Sequence, residues 1–169
     1  MNVIALAGFK HVGKSYYGNY FSQKFNIEFI DLDWMLEKKF GMPVKKIYQE
    51  LGKELFHEQE LLVLKTLDFS SKLILALGGA TLFHKQTLEF LKSHCEILHL
   101  EHNFKTLKDR IFSSANLWAA LDPEDLEGSF LAIYLDRIAY LRALELKTFF
   151  LEEPQEIQLL EEHVRKFFW

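Results

Sequence analysis

Eight residues near the start of the chain, Gly8-Phe9-Lys10-His11-Val12-Gly13-Lys14-Ser15, carry the pattern G-x-x-x-x-G-K-[ST] in full. Glycines let such a loop curl until successive backbone N–H groups face one anion, and a helix that begins at its end adds partial positive charge. Lys14 supplies a full charge that can reach the β- and γ-oxygens of a nucleoside triphosphate. The Ser15 hydroxyl is an oxygen ligand for the Mg²⁺ that bridges those phosphates. Gly8, Gly13, Lys14, Ser15 and the adjoining Tyr16 are the expected nucleotide-binding set, with ATP and Mg²⁺ as cofactors. Lys10 and His11 fill positions that the pattern leaves free, and they read as solvated loop side chains.

A second group follows in Phe29-Ile30-Asp31-Leu32-Asp33. If the strand that contains Asp31 continues, residues i and i+2 share a face and both carboxylates point the same way. Phosphoryl transfer to an alcohol uses two such groups, one in the metal shell and one that accepts the hydroxyl proton and aims the oxygen. Asp31 is assigned to the metal, beside Ser15, and Asp33 to catalysis on the acceptor, beside Lys14. The plainer alternative for such a pair is a helix N-cap with a solvated neighbour.

These groups need elements to hold them. Short apolar runs alternate with segments of helical period, the signature of an α/β fold in which a parallel sheet is sandwiched by helices. Asn2–Ala7, Glu28–Asp31, Leu73–Leu77, Glu96–Leu100 and Leu146–Leu151 read as five strands. Helices are expected at Lys14–Phe25, Leu32–Phe40, Pro43–Leu51, Glu54–Leu67 and Pro154–Trp169. Gly78-Gly79 closes the third strand at a turn suited to a ligand. Ile111–Tyr134, interrupted by Asp122-Pro123 and Gly128, reads as a mobile lid.

Length and charge narrow the function classes. At 169 residues the chain is expected to form a single domain, with an acceptor-binding region at about 32–60 and the lid at about 111–134. A net charge of -4 offers no general attraction for nucleic acid or an anionic membrane. One cysteine, Cys95, forms no internal disulfide, and the opening residues run straight into the phosphate motif instead of a cleavable signal. A cytoplasmic monomer acting on a small molecule is expected. His94, Cys95, His99 and His102 lie close in sequence but fit no closed zinc pattern.

The order GFKHVGKS, FIDLD, FHEQE, LGGA and then Arg137 ahead of a late helix resembles the shikimate kinases over nearly the whole chain. The resemblance implies a five-stranded sheet of the P-loop nucleoside monophosphate kinase type and transfer of the ATP γ-phosphate to the 3-hydroxyl of shikimate, a step towards chorismate and the aromatic amino acids. It further implies acceptor binding by Asp33, Gly78, Gly79 and Arg137, with Glu60 orienting a neighbouring basic residue and Arg110 near the adenine. Three positions depart from the family pattern. His57 replaces the arginine of F-R-x-x-E, so a planar fork becomes one compact ring that can donate a single bond. Ala80 replaces a third glycine. Ala115-Asn116-Leu117-Trp118 replaces R-P-L-L in a segment, Ile111–Tyr134, that has no Lys or Arg. Alternatives consistent with these departures are a kinase for another carboxylated polyol, such as a gluconate-like sugar acid, and an ATP-binding module without turnover.

Overall fold

Side chains along Val3–Gly8 (β1) alternate between two apolar clusters: Ile4 and Leu6 join one, Val3, Ala5 and Ala7 the other, and all are buried. A strand with no wet face belongs at the centre of a sheet covered by helices on both sides. The computed structural model, which describes residues 1–114 and 121–169, has this architecture. After β1 come α1 (Lys14–Phe25), β2 (Glu28–Asp31), α2 (Leu32–Phe40) and α3 (Val44–Leu64). Next are β3 (Leu73–Ala76), a 3₁₀ turn (Thr81–Phe83), α4 (Lys85–His94), β4 (Glu96–Glu101) and α5 (Phe104–Phe112). The chain ends with α6 (Leu126–Ala143), β5 (Lys147–Phe150) and α7 (Pro154–Phe168). The sheet order is β2-β3-β1-β4-β5, and every pairing is parallel.

One cluster joins Ile4 and Leu6 to Phe21 of α1, Leu107 of α5, Phe130 of α6 and Leu160 and Val164 of α7. The other joins Val3, Ala5 and Ala7 to Leu36 of α2, Phe56 and Leu64 of α3 and Leu91 of α4. Glycine and proline punctuate as the sequence implied. Gly41 ends α2 in the left-handed region with its N–H donating to the Glu37 carbonyl at 2.8 Å, and Pro43 precedes α3. Gly52, at φ 74°, breaks α3 into two helical stretches.

Ile111–Tyr134, expected to form a lid, takes in the end of α5 and the first half of α6. Ile111 is buried within α5, and Phe130, in α6, is fully buried against Phe9 and Phe104. Only residues 113–125 lie between the two helices, and Ala115, Asn116, Leu117 and Trp118 are outside the described residues. Among the described residues no helix is long and apolar enough to cross a membrane.

Register brings the chemistry to one edge. Leu6 and Asp31 both pair with Ala76, so the ends of β1, β2 and β3 lie side by side at the carboxyl end of the sheet, the usual ligand edge of such folds. Gly8 closes β1 at φ 141°, and a Cβ added there would fall 2.3 Å from the Leu100 carbonyl oxygen on β4. Backbone strain and overpacking then act together, so Gly8→Ala is expected to destabilise the fold by about 2–4 kcal/mol. Thermal unfolding checks this as a fall in Tm of roughly 5–15 °C.

Candidate active site

The loop between β1 and α1 wraps its own lysine. Lys14 Nζ donates to the carbonyls of Gly8 at 3.0 Å and Phe9 at 2.9 Å. His11 and Gly13 both have positive φ, 62° and 112°, and Gly13 leads directly into α1. Alternation of this kind turns N–H groups inward, towards where an anion would lie. Burial lowers the Lys14 pKa to about 8, while Asp33 and Asp31 pull the other way. From α5, Arg110 Nη1 donates to the His11 carbonyl at 3.1 Å, placing a guanidinium over the loop. Tyr16 is exposed, edge-on to Tyr17 at 5.1 Å.

The two aspartates are neighbours, but their carboxylates do not share a strand face. The chain turns helical at Leu32, so Asp33 belongs to the first turn of α2. Asp31 is the N-cap of that helix: its Oδ1 accepts the Asp33 N–H at 3.0 Å, and its Oδ2 accepts the Ser15 hydroxyl. Cap and metal-site readings describe the same carboxylate, one oxygen for each. Ser15 Oγ and Asp31 Oδ2 are hard oxygen donors in contact beside the phosphate loop, a set that fits Mg²⁺. Bound there, the ion would neutralise charge on the phosphates.

Asp33 points elsewhere, towards Gly78. A Cβ on Gly78 would lie 3.1 Å from Asp33 Oδ1, 3.0 Å from Glu60 Oε1 and 2.9 Å from Thr81 Oγ1. A side chain here would crowd all three polar groups. Burial raises the Asp33 pKa to about 6; Asp31 adds to the rise, Lys14 opposes it, and Glu60 and Glu37 add smaller contributions. A carboxyl near 6 is suited to exchanging a proton with an alcohol. Ala80 has φ -124°, outside the left-handed region that would demand glycine.

Gly79 connects the remaining groups. Its carbonyl accepts from Arg137 Nη1 at 3.3 Å, and the guanidinium lies over the rings of Phe9, at 5.7 Å, and Phe83, at 5.5 Å. Burial lowers the Arg137 pKa from the usual arginine value, against the pull of Asp136. Gly79 also faces Lys10, whose N, Cα and Cβ would lie 3.4, 3.7 and 3.7 Å from an added Cβ. Sequence reasoning assigned Lys10 to solvent; the structure half-buries it at this turn.

His57 is 3% exposed. Its Nδ1 is 2.6 Å from Glu60 Oε2, its ring stacks on His84 at 5.7 Å, and Glu60 Oε1 accepts from Thr81 Oγ1 at 2.5 Å. Glu60 therefore orients the basic residue three positions before it, as the resemblance implied, in a buried chain that also includes Thr81. Nothing in the sequence marked Thr81. The histidines near Cys95 disperse: His99 bonds Thr148, His102 bonds Glu152, and His94 packs on Phe90.

A family model described as shikimate kinase matches residues 10–163. Among curated proteins, the shikimate kinase of Sulfurihydrogenibium sp. (strain YO3AOP1) is 29% identical over 111 residues, 66% of this chain and 67% of that protein. The first such relatives are matched over 54% to 67% of their own lengths. Among solved structures, a shikimate kinase from Bacteroides thetaiotaomicron superposes with a TM-score of 0.81 at 24% identity, covering 97% of this chain and 96% of that one. One from Acinetobacter baumannii, in complex with shikimate, has a TM-score of 0.81 at 23% identity over 98% and 92%.

Proposed function

The chain belongs to the shikimate kinase family, and from that premise we propose that it transfers the γ-phosphate of ATP to a hydroxyl of shikimate. The observation that carries the reading is the grouping of Lys14, Asp33, Gly78-Gly79 and Arg137 at the carboxyl edge of the sheet, a phosphate anchor, a carboxylate near 6, an open backbone and a desolvated guanidinium. In this reading Gly8, Gly13, Lys14 and Ser15 hold the phosphates, with Tyr16 and Arg110 on the nucleotide side, and Ser15 and Asp31 hold Mg²⁺. Asp33 orients the acceptor hydroxyl and accepts its proton. Arg137 receives the acceptor's carboxylate, and His57, held by Glu60, forms part of the acceptor wall. The transfer is direct and in-line: the acceptor oxygen bonds to γ-phosphorus as the bond to the bridging oxygen of ADP breaks.

Burial of His57 on Glu60, where an arginine fork would otherwise present two donors, favours as second reading a different carboxylated polyol. Coupled ADP release with shikimate and a panel of sugar acids separates the two. The expected outcome is ADP release that depends on shikimate and exceeds that for any sugar acid by at least about tenfold, a discrimination of the size that unpaired polar groups in a pocket impose. Turnover of a sugar acid but not shikimate selects the second reading, and ATP binding without turnover of any acceptor overturns both.

A further inference from the structure

Lys10 and Arg137 both meet one residue, Gly79. Gly79 abuts the Lys10 backbone and Cβ, and its carbonyl accepts from Arg137. Both belong to the face that holds Asp33, because Gly78, the preceding residue, abuts the Asp33 carboxylate. His57 occupies the place of the arginine expected after Phe56, with its ring buried and one nitrogen committed to Glu60, so no guanidinium fork is presented there.

We propose that Lys10 is a specificity residue for the acceptor: with Arg137, beside Gly79, it binds the acceptor's carboxylate in place of the arginine fork that His57 lacks. This rests on the reading of the site as a carboxylated-alcohol kinase. The loop position that Lys10 occupies is indifferent to the phosphate motif, so its side chain is free to serve the acceptor side. Charge interactions agree with that placement. Burial lowers the Lys10 pKa, Asp33 opposes, and Lys45 and Arg137 add to the lowering. Arg137 makes the Lys10 charge costlier, and an acceptor carboxylate beside both would lower that cost. Gly79, with no side chain, leaves the approach open.

The test compares shikimate with its neutral methyl ester as acceptors, measuring kcat/KM for each at saturating MgATP in wild type, Lys10→Met and Lys10→Arg. Wild type is expected to prefer the acid. Lys10→Met should lose about 10- to 100-fold of that preference through a higher KM for shikimate, the range for one charge-assisted hydrogen bond, with KM for MgATP and turnover of the ester nearly unchanged. Lys10→Arg should keep most of the preference, which shows that charge and not loop integrity is being read. If wild type uses shikimate and Lys10→Met keeps the acid-to-ester ratio, the role of Lys10 is overturned and the proposed function stands. A Lys10→Met defect confined to KM for MgATP likewise overturns it. If wild type phosphorylates no carboxylated acceptor, the proposed function fails and the Lys10 assignment fails with it.

Discussion

Lys14→Met should lower kcat by about 10²–10³-fold or more, the loss seen when one preorganised charge or donor is removed from a developing anion. Methionine fills nearly the same volume, so the defect reads the ammonium alone. In the structure that ammonium is held against two loop carbonyls, with Asp31 and Asp33 as its nearest opposing charges. In-line transfer leaves negative charge on the β- and γ-oxygens, and a partly desolvated positive charge counts for more there than it would in solvent. Residues 113–125, between α5 and α6, include no Lys or Arg to share the load. Stability should move the other way. Burial holds the Lys14 pKa at about 8, below its unfolded value, so the charged form is disfavoured by folding and its removal at pH 7 should not lower Tm. A kcat near wild type in a folded Lys14→Met protein rules out the phosphate-anchor role. A kcat loss with a collapsed Tm would mean that the lysine holds the loop together.

The phosphate loop was legible because its geometry is local: the eight residues that name it also build it. Beta strands at the centre were legible for a similar reason, since runs such as Leu73–Ala76 are apolar on both faces. Asp31 and Asp33 were identified as a pair from sequence, yet their geometry was misread. An aspartate at a strand end competes for the next amides, and here it wins, capping α2 and turning Asp33 away from strand geometry. Gly128 was read as an interruption and is instead part of a cap. Asp125 accepts from the Gly128 N–H at 3.0 Å, and any Cβ on Gly128 would crowd the Asp125 carboxylate at 2.2 Å. That cap starts α6 at Leu126, inside the segment Ile111–Tyr134. Lys10 was beyond local reasoning altogether. Its neighbours Gly79 and Arg137 come from the third strand's turn and the sixth helix, and only the assembled sheet edge puts them together.

Asp33→Asn should remove about 10²–10⁴-fold of kcat, the usual contribution of a positioned proton acceptor, while leaving MgATP affinity close to wild type. The amide keeps the size and one oxygen of the carboxylate but cannot take a proton from the acceptor hydroxyl. It also leaves Asp31 and Ser15 in place, so the nucleotide side is untouched. The pH profile tests the same assignment independently. Burial, with Asp31, Glu60 and Glu37 adding and Lys14 opposing, places the Asp33 pKa at about 6, so the catalytic carboxylate form is depleted as pH falls through that value. Wild-type kcat/KM for the acceptor should therefore plateau above about pH 7 and fall close to tenfold per unit below about pH 5.5. The residual activity of Asp33→Asn should lack that limb. Because the γ-phosphate titrates in the same region, each point is taken at saturating MgATP, and the variant's profile serves as the correction. Loss of MgATP binding in Asp33→Asn would exchange the roles of Asp31 and Asp33. An acid limb that survives unchanged in the variant would assign that titration to another group and remove Asp33 from the proton path.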